Sequence, residues 1–399
     1  MMETFDAVVI GGGPAGATAA NDLAQRGRSV LLLDRAGRIK PCGGAIPPQL
    51  IKEFDIPLSL LVARINSARM VAPSNREVDM PINGGFVGMV DRDVFDEWLR
   101  DRAQSSGATR RTGNFHQLTR DTDGTAIVHY VTTVDDVECL GQVRAKAVIG
   151  ADGARSLVAK QCIPGAEDIP YVFAYHEIVK TPAQDDTVAD FDRTRCDIFY
   201  QGGLSPDFYG WVFPHGETTS VGMGTAQKGF SMRQSIGALR EAAHLDKAIT
   251  IRREGAPIPL RAMKRWDNGR DVIVAGDAAG VVAPASGEGI YYAMVCGRLA
   301  AEAVDVFCTT GDARALKLAR KRFMKLHGTV FLVLGIMQRF WYSSDKRRER
   351  FVNICRDEDV QHLTWEAYMH KKLVKAKPMA HMRIFFKDLA HLTGVVSPW

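Results

Sequence analysis

The run Gly11-Gly12-Gly13-Pro14-Ala15-Gly16 sets glycines at the spacing G-x-G-x-x-G, between the apolar run Val8-Val9-Ile10 and helix formers from Thr18 to Arg26. In that context Gly11 permits a tight turn, Gly13 lets backbone approach a pyrophosphate, and Gly16 allows close packing of helix on strand. The helix N-terminus then turns free N–H groups and a positive dipole end to the phosphates. Gly27 closes the helix with an easy left-handed cap, and Ser29 to Leu33 reads as the next buried strand. Asp34 ends that strand, where a carboxylate can bind ribose hydroxyls. The combination predicts a dinucleotide site.

Two further segments choose FAD. They are Val148-Ile149-Gly150-Ala151-Asp152-Gly153-Ala154-Arg155-Ser156 and Val272-Ile273-Val274-Ala275-Gly276-Asp277-Ala278-Ala279-Gly280. Each runs an apolar strand into an Asp, and open α/β sheets bind ligands at the carboxyl ends of their strands. Asp277 is placed to partner the ribityl chain. Ser286-Gly287-Glu288-Gly289-Ile290 opens a helix running to about Phe307, whose N-terminus can stabilise negative charge on a reduced flavin.

The elements around these motifs define an α/β fold. Asp91 to Ala103 reads as a helix capped by Asp91 or Asp93. Short alternating runs at Cys196 to Tyr200, Tyr209 to Phe213 and Ser220 to Thr225 predict an antiparallel sheet, and the last ninety residues read as mostly helical. We expect a Rossmann-type FAD-binding domain (1–65, 88–165 and 255–305) interleaved with an antiparallel-sheet substrate domain (66–87 and 166–254). A helical C-terminal region follows from 306 to 399.

The 399 residues are 46% hydrophobic and 24% charged, which excludes a disordered or collagen-like chain. Seven cysteines with no C-x-x-C pair argue against a disulfide or zinc framework and for a reducing compartment. His176, His215 and His244 show no metal-ligand spacing. Residues 314–399 hold 18 Lys/Arg against 7 Asp/Glu, on a body that is otherwise acidic. No nucleic-acid module accompanies that basic tail. Its longest apolar stretch, Gly328 to Gln338, is shorter than the roughly 20 residues of a membrane span. A first strand read from Phe5 leads us to expect no signal or transit peptide.

The glycine turn and the two Asp segments resemble the flavoproteins that include aromatic-ring hydroxylases and geranylgeranyl reductases. The match covers 5–35, 91–99, 148–160 and 271–303. Lys40-Pro41-Cys42-Gly43-Gly44-Ala45-Ile46 and Tyr209-Gly210-Trp211-Val212-Phe213-Pro214 are similar to signatures of the geranylgeranyl reductases. So are Phe340-Trp341-Tyr342-Ser343-Ser344 through Phe351, and Asp359 through Tyr368. The resemblance extends the FAD contacts to Pro14, Ala15, Arg35, Cys42, Gly43, Gly44, Ala45, Arg92, Phe115, Asp152, Gly287, Gly289 and Ile290. It also implies that the Cys-Gly-Gly turn lies beside the flavin, with Cys42 the candidate proton donor, and that Tyr209 and Trp211 roof the substrate cavity. Read without the resemblance, Cys42 is a small residue in a turn, and the aromatic alternation suits any strand burying one face.

The family implies NADPH as electron donor and, as substrate, a geranylgeranylated pigment or geranylgeranyl diphosphate, in a bacterial cytoplasm near a photosynthetic membrane. A flavin hydroxylase and a non-catalytic FAD-containing prenyl-lipid carrier are the other readings. A candidate peripheral membrane contact lies in 328–350. It is built on Phe331, Leu332, Leu334, Ile336, Met337, Phe340, Trp341 and Tyr342, with Lys346, Arg347, Arg348 and Arg350 following; the competing reading is a core helix over the cavity.

Overall fold

The first thirty residues fold as strand, helix and parallel strand in the computed structural model, which describes residues 2–35, 40–183 and 191–371. With elements numbered along the whole chain, these are β1 (Thr4–Ile10), α1 (Pro14–Gln25) and β2 (Val30–Asp34). The helix starts four residues earlier than its helix formers suggest. Pro14 suits the first turn because the N–H it lacks has no intrahelical partner there. Gly27, at φ +76°, follows the end of α1.

One compact unit comprises Met1–Lys40, Arg92–Tyr171 and Pro257–Gly335. Its seven-stranded sheet has the order β8 (Thr109–Thr112), β2, β1, β11 (Val137–Gly150), β10 (Ala126–Val134), β9 (Asn114–Arg120), and β17 (Val272–Val274) pairs with β11. Strands β8, β2, β1, β17 and the end of β11 are parallel. Ile10 lies opposite both Leu33 and Gly150, and Gly150 opposite Val274, so four strand ends are level. Val8, Val9, Leu31, Leu32, Val148, Ile149 and Val272 to Val274 are buried without alternation, as in a parallel sheet covered on both faces. The unit also holds α3 (Arg92–Ser105), α4 (Leu157–Cys162) and α6 (Ile290–Thr310). Helix α1 packs on α6, where Gly297 lacks the Cβ that would strike the Ala15 backbone.

The second unit comprises Pro41–Asp91, Val172–Ala256 and Ile336–Trp399. It has a small sheet of β3 (Ala45–Ile46), β7 (Val87–Val90) and β4 (Leu61–Ile65), with α2 (Pro48–Glu53) beside it in sequence. Its larger sheet has the order β16 (Thr250–Pro259), β12 (Tyr171–Lys180), β15 (Thr218–Thr225), β14 (Gly210–His215), β13 (Arg195–Phe199), β5 (Ser67–Val71) and β6 (Glu77–Pro81). Strands β13 and β5 pair in parallel, within a sheet the sequence reads as antiparallel throughout. Val179, Val212, Val221 and Met223 pack on one face against Ile236 and Leu239 of α5 (Met232–Ala242). The alternate residues, His176, Trp211, Phe213 and Ser220, belong to the other face.

Helices α7 (Lys317–Trp341), α8 (Asp345–Ile354) and α9 (Glu358–His370) follow. They take some residues of the expected membrane patch into the interior and leave others at the surface. Phe331 is buried against Tyr292 and Phe323, and Tyr342 against Tyr200 and Phe351. Trp341 is also buried. Arg348, 2% exposed, donates to the carbonyls of Pro206 and Tyr342 and to Asp345 at 2.7 Å. Arg350 is buried as well. Large rings carry more apolar area than any other side chain and are drawn into cores, and a guanidinium with five donors can satisfy several carbonyls at once. The apolar residues of α7 that do reach the surface are Leu326, Leu332, Val333 and Ile336. Among the described residues, no helix is long and apolar enough to cross a membrane.

Candidate functional site

In the first unit, the glycine turn separates into positions the protein itself requires and one that it does not. Gly11 stands at φ +104°, and a Cβ there would strike the Ala151 carbonyl; a Cβ on Gly16 would strike the carbonyl of Gly11. Gly13 has no atom within 4 Å of where its Cβ would be. A glycine that no neighbour demands is useful where an outside group must meet bare backbone at a helix N-terminus. The cradle fits a pyrophosphate.

Asp34 leans over this turn, so that a Cβ on Gly12 would lie 2.7 Å from its Oδ2. Arg100 holds it there, with Nη1 donating to Asp34 Oδ2 at 3.2 Å and to the Gly12 carbonyl at 3.3 Å. Arg35 follows on the surface. Phe115 is two residues beyond Gly113, whose N–H donates to the Asp34 carbonyl at 2.8 Å.

The two Asp segments have different structural roles. Asp152 accepts from Ser156 Oγ and from the backbone N–H of Leu157 at 2.7 Å, so its carboxylate is committed to the start of α4. Asp277 sits in a single turn of 3₁₀ helix, Gly276–Ala279, is almost fully buried, and pairs with Lys40. Its Oδ1 lies 3.8 Å from where a Cβ on Gly289 would be, just ahead of Ile290 and the first turn of α6. Gly276 and Gly287 both have φ +64°. The structure thus brings Gly276, Asp277, Gly289 and Ile290 together. Arg92 is buried in a bidentate pair with Asp96, at 2.8 and 2.7 Å.

In the second unit, the Cys-Gly-Gly turn and the aromatic strand meet. A Cβ on Gly43 would lie 3.1 Å from the Phe213 ring, and Gly44, at φ +69°, is crowded by His215 and the Val90 carbonyl. His215 bridges Gly43 and Asp91, with Nε2 3.0 Å from the Gly43 carbonyl oxygen and Nδ1 3.1 Å from Asp91 Oδ1. The Cys42 sulfur accepts the Gly44 N–H at 3.4 Å, and Ala45 begins β3. Burial pushes the Cys196 thiol far up and that of Cys296 up to about 12, which leaves those two inert. Cys42 is only partly buried.

The aromatic residues form a row. Ring centroids of Tyr209 and Trp211 are 6.0 Å apart, and those of Trp211 and Phe213 are 6.3 Å apart. Each of three rings rests on a glycine. Phe208 covers Gly224, Trp211 covers Gly222, and Phe213 covers Gly43. The pair Gly222-x-Gly224 in β15, which carries no sequence motif, is a seat for two rings. His176, whose ring centroid lies 6.4 Å from that of Trp211, and His215 are likewise neighbours of this row that sequence reasoning passes over, because only strand register reveals their partners.

An open glycine cradle below level, acid-tipped strand ends is how flavoprotein oxidoreductases hold FAD, and FAD is the cofactor of this class. The pyridine nucleotide-disulphide oxidoreductase family matches residues 5–188. The chain belongs to the geranylgeranyl diphosphate reductase family. It is 58% identical to the geranylgeranyl diphosphate reductase of Rhodobacter capsulatus, across 99% of both chains. It is 36% identical to the chloroplastic geranylgeranyl diphosphate reductase of Oryza sativa, over 98% of this chain and 86% of that one. In fold it is similar to a geranylgeranyl bacteriochlorophyll reductase-like protein of Thermoplasma acidophilum. That match has a TM-score of 0.78 and 22% identity, over 95% of this chain and all of that one.

Proposed function

We propose that this chain is an FAD- and NADPH-dependent reductase that converts a geranylgeranyl chain to phytyl, on (bacterio)chlorophyll or on geranylgeranyl diphosphate. The observation that carries this reading is the row of Tyr209, Trp211 and Phe213, the last two seated on glycines, ending at the turn that holds Cys42. An isolated trisubstituted alkene offers no polar handle, so only apolar walls can orient it. Bound in its reduced form, FAD supplies the hydride. The second carbon of each double bond takes a proton, and protonation first gives a tertiary cation that water would trap. Tyr209, Trp211 and Phe213 provide the dry wall that this chemistry requires. Cys42, fixed by Gly44 and with its turn latched by His215, is the candidate proton donor. The FAD contacts of the first unit are Gly11, Gly13, Pro14, Ala15, Gly16, Asp34, Gly276, Asp277 and the start of α6. Asp152 supports that site from the start of α4.

Incubating the reduced holoenzyme separately with geranylgeranyl pigment and geranylgeranyl diphosphate tests the reading by product mass. The expected result is a gain of two hydrogens at a time on one of the two. Added oxygen would instead indicate a hydroxylase, and an unchanged tail would indicate a carrier.

The same reading places the enzyme in a bacterial cytoplasm, on the surface of the photosynthetic membrane where a prenylated pigment resides. Leu332, Val333 and Ile336 form an exposed apolar stripe on α7, and exposed Lys346 and Arg347 follow. An anionic bilayer complements both features, at about 1 kcal/mol per basic residue near the surface. Lys346→Glu/Arg347→Glu should release the enzyme from anionic liposomes. Undiminished binding would remove the basic residues from the contact.

A further inference from the structure

Four side chains on neighbouring strands form one hydrogen-bonded chain across the larger sheet. Trp211 Nε1 of β14 lies 3.1 Å from Ser220 Oγ of β15. Ser220 Oγ lies 2.9 Å from His176 Nδ1 of β12, and His176 Nε2 lies 3.0 Å from Glu254 Oε2 of β16. Arg252 Nε lies 2.9 Å from Glu254 Oε1. Trp211, Ser220 and His176 are 6%, 1% and 3% exposed, so none of them exchanges these partners for water.

Two of the bond directions are fixed. The indole N–H can only donate, so Ser220 accepts from it, and Ser220 Oγ and His176 Nδ1 share the next hydrogen bond. A carboxylate only accepts, so His176 Nε2 carries the hydrogen that Glu254 receives. Burial raises the Glu254 carboxyl, but His176 and Arg252 outweigh it and hold the group below the usual carboxylate range. The chain therefore runs from an indole to a negative charge, with each bond polarising the next.

Packing alone does not require this arrangement. A buried sheet face is filled at less cost by apolar side chains than by a serine, a histidine and a carboxylate. What the polar chain adds is a single orientation for one ring. The Trp211 indole lies across Gly222, where a Cβ would also come within 2.7 Å of the His176 Cβ. Flipped about its long axis, the ring would turn its N–H away from Ser220 and leave it without that acceptor.

We propose that Ser220, His176 and Glu254 are positioning residues that turn the Trp211 N–H away from the isoprenoid tail of the substrate, which has no acceptor for it. This presents the substrate with the hydrocarbon face of the indole. The inference rests on the functional reading above. The fixed face does two things. It leaves no unpaired donor against an apolar tail, and it sets an electron-rich ring over carbons that become positive in the reaction, an attraction that strengthens away from water.

The test uses the FAD-loaded enzyme with NADPH and whichever of geranylgeranyl pigment and geranylgeranyl diphosphate the wild type reduces, and compares Ser220→Ala, Ser220→Thr, His176→Phe and Trp211→Phe. Ser220→Ala should lower kcat by about tenfold with KM little changed, which is a loss confined to the transition state. Partly reduced tails should accumulate. Ser220→Thr, which keeps the hydroxyl, should recover most of the rate, and His176→Phe should behave as Ser220→Ala does. With Trp211→Phe already in place, Ser220→Ala should cost little more, because no N–H remains to be held. In ¹⁵N-tryptophan-labelled enzyme, Ser220→Ala should shift the one indole N–H signal that Trp211→Phe deletes.

A Ser220→Ala enzyme with wild-type kcat and products, or a fully additive double variant, overturns the proposal. Wild-type enzyme that reduces neither tail overturns the functional reading instead, so the two failures are told apart.

Discussion

His215 Nε2 lies 3.0 Å from the carbonyl oxygen of Gly43, so the imidazole at the end of β14 grips the turn that carries Cys42. Two segments far apart in sequence, each a family signature, are in this way one structure. Gly44 lies beneath the same ring in the left-handed region, at φ +69°. Gly44→Ala should therefore destabilise the protein by about 1–3 kcal/mol through backbone strain, before any clash with His215 is added. Urea denaturation measures the loss, and an unchanged midpoint would contradict this account of the turn.

Cys42→Ser should fold and retain flavin, since its sulfur accepts the Gly44 N–H at 3.4 Å and a hydroxyl oxygen can also accept that bond. Turnover should fall, or stall before the tail is fully reduced. Product masses decide the matter, and full activity with an unchanged distribution would remove Cys42 from the mechanism.

Asp277→Ala should lose much of its flavin. The carboxylate is buried beside the start of α6, and an unpaired buried hydroxyl of the cofactor would cost about 1–3 kcal/mol, or roughly 5- to 150-fold in affinity. The flavin-to-protein absorbance ratio after gel filtration measures it. Asp152→Ala should act differently, chiefly on stability, because Asp152 caps α4.

Acid should weaken the first unit through Glu97. Its carboxylate is 2.7 Å from Arg110 Nη1 and 2.7 Å from Arg100 Nη2. The Arg110 hydrogen bond, opposed by burial and joined by Arg100, holds its carboxyl down to about 2 from an ordinary 4.5. A depressed carboxyl stabilises the fold fully above its unfolded value, and that stabilisation is lost as pH falls from 4.5 towards about 2. The stability difference between wild type and Glu97→Gln should shrink across that window. A difference that stays constant through it would exclude the linkage.

The sequence by itself determined the cofactor half of the molecule. A glycine turn, a strand-ending carboxylate and a helix start are read from neighbours in the chain, because a βαβ unit uses local spacing to put phosphate, ribose and dipole in reach of one another. Val8 to Asp34 needed no long-range information. The sequence singled out Asp277 for the ribityl chain but left Asp152 among the cofactor contacts as well, since both follow similar apolar strands. Only the fold shows that one caps a helix and the other stands free of that task, beside α6. The sequence could not distinguish Trp341, Tyr342 and Arg348 as an interface from the same residues as core, since an aromatic and basic run reads alike in both settings. Tertiary structure alone decided the polar chain behind Trp211. Its members come from four strands, between residues 176 and 254, and strand register puts them side by side. Register depends on which face of every strand is buried, and that is a property of the assembled sheet rather than of any segment in it.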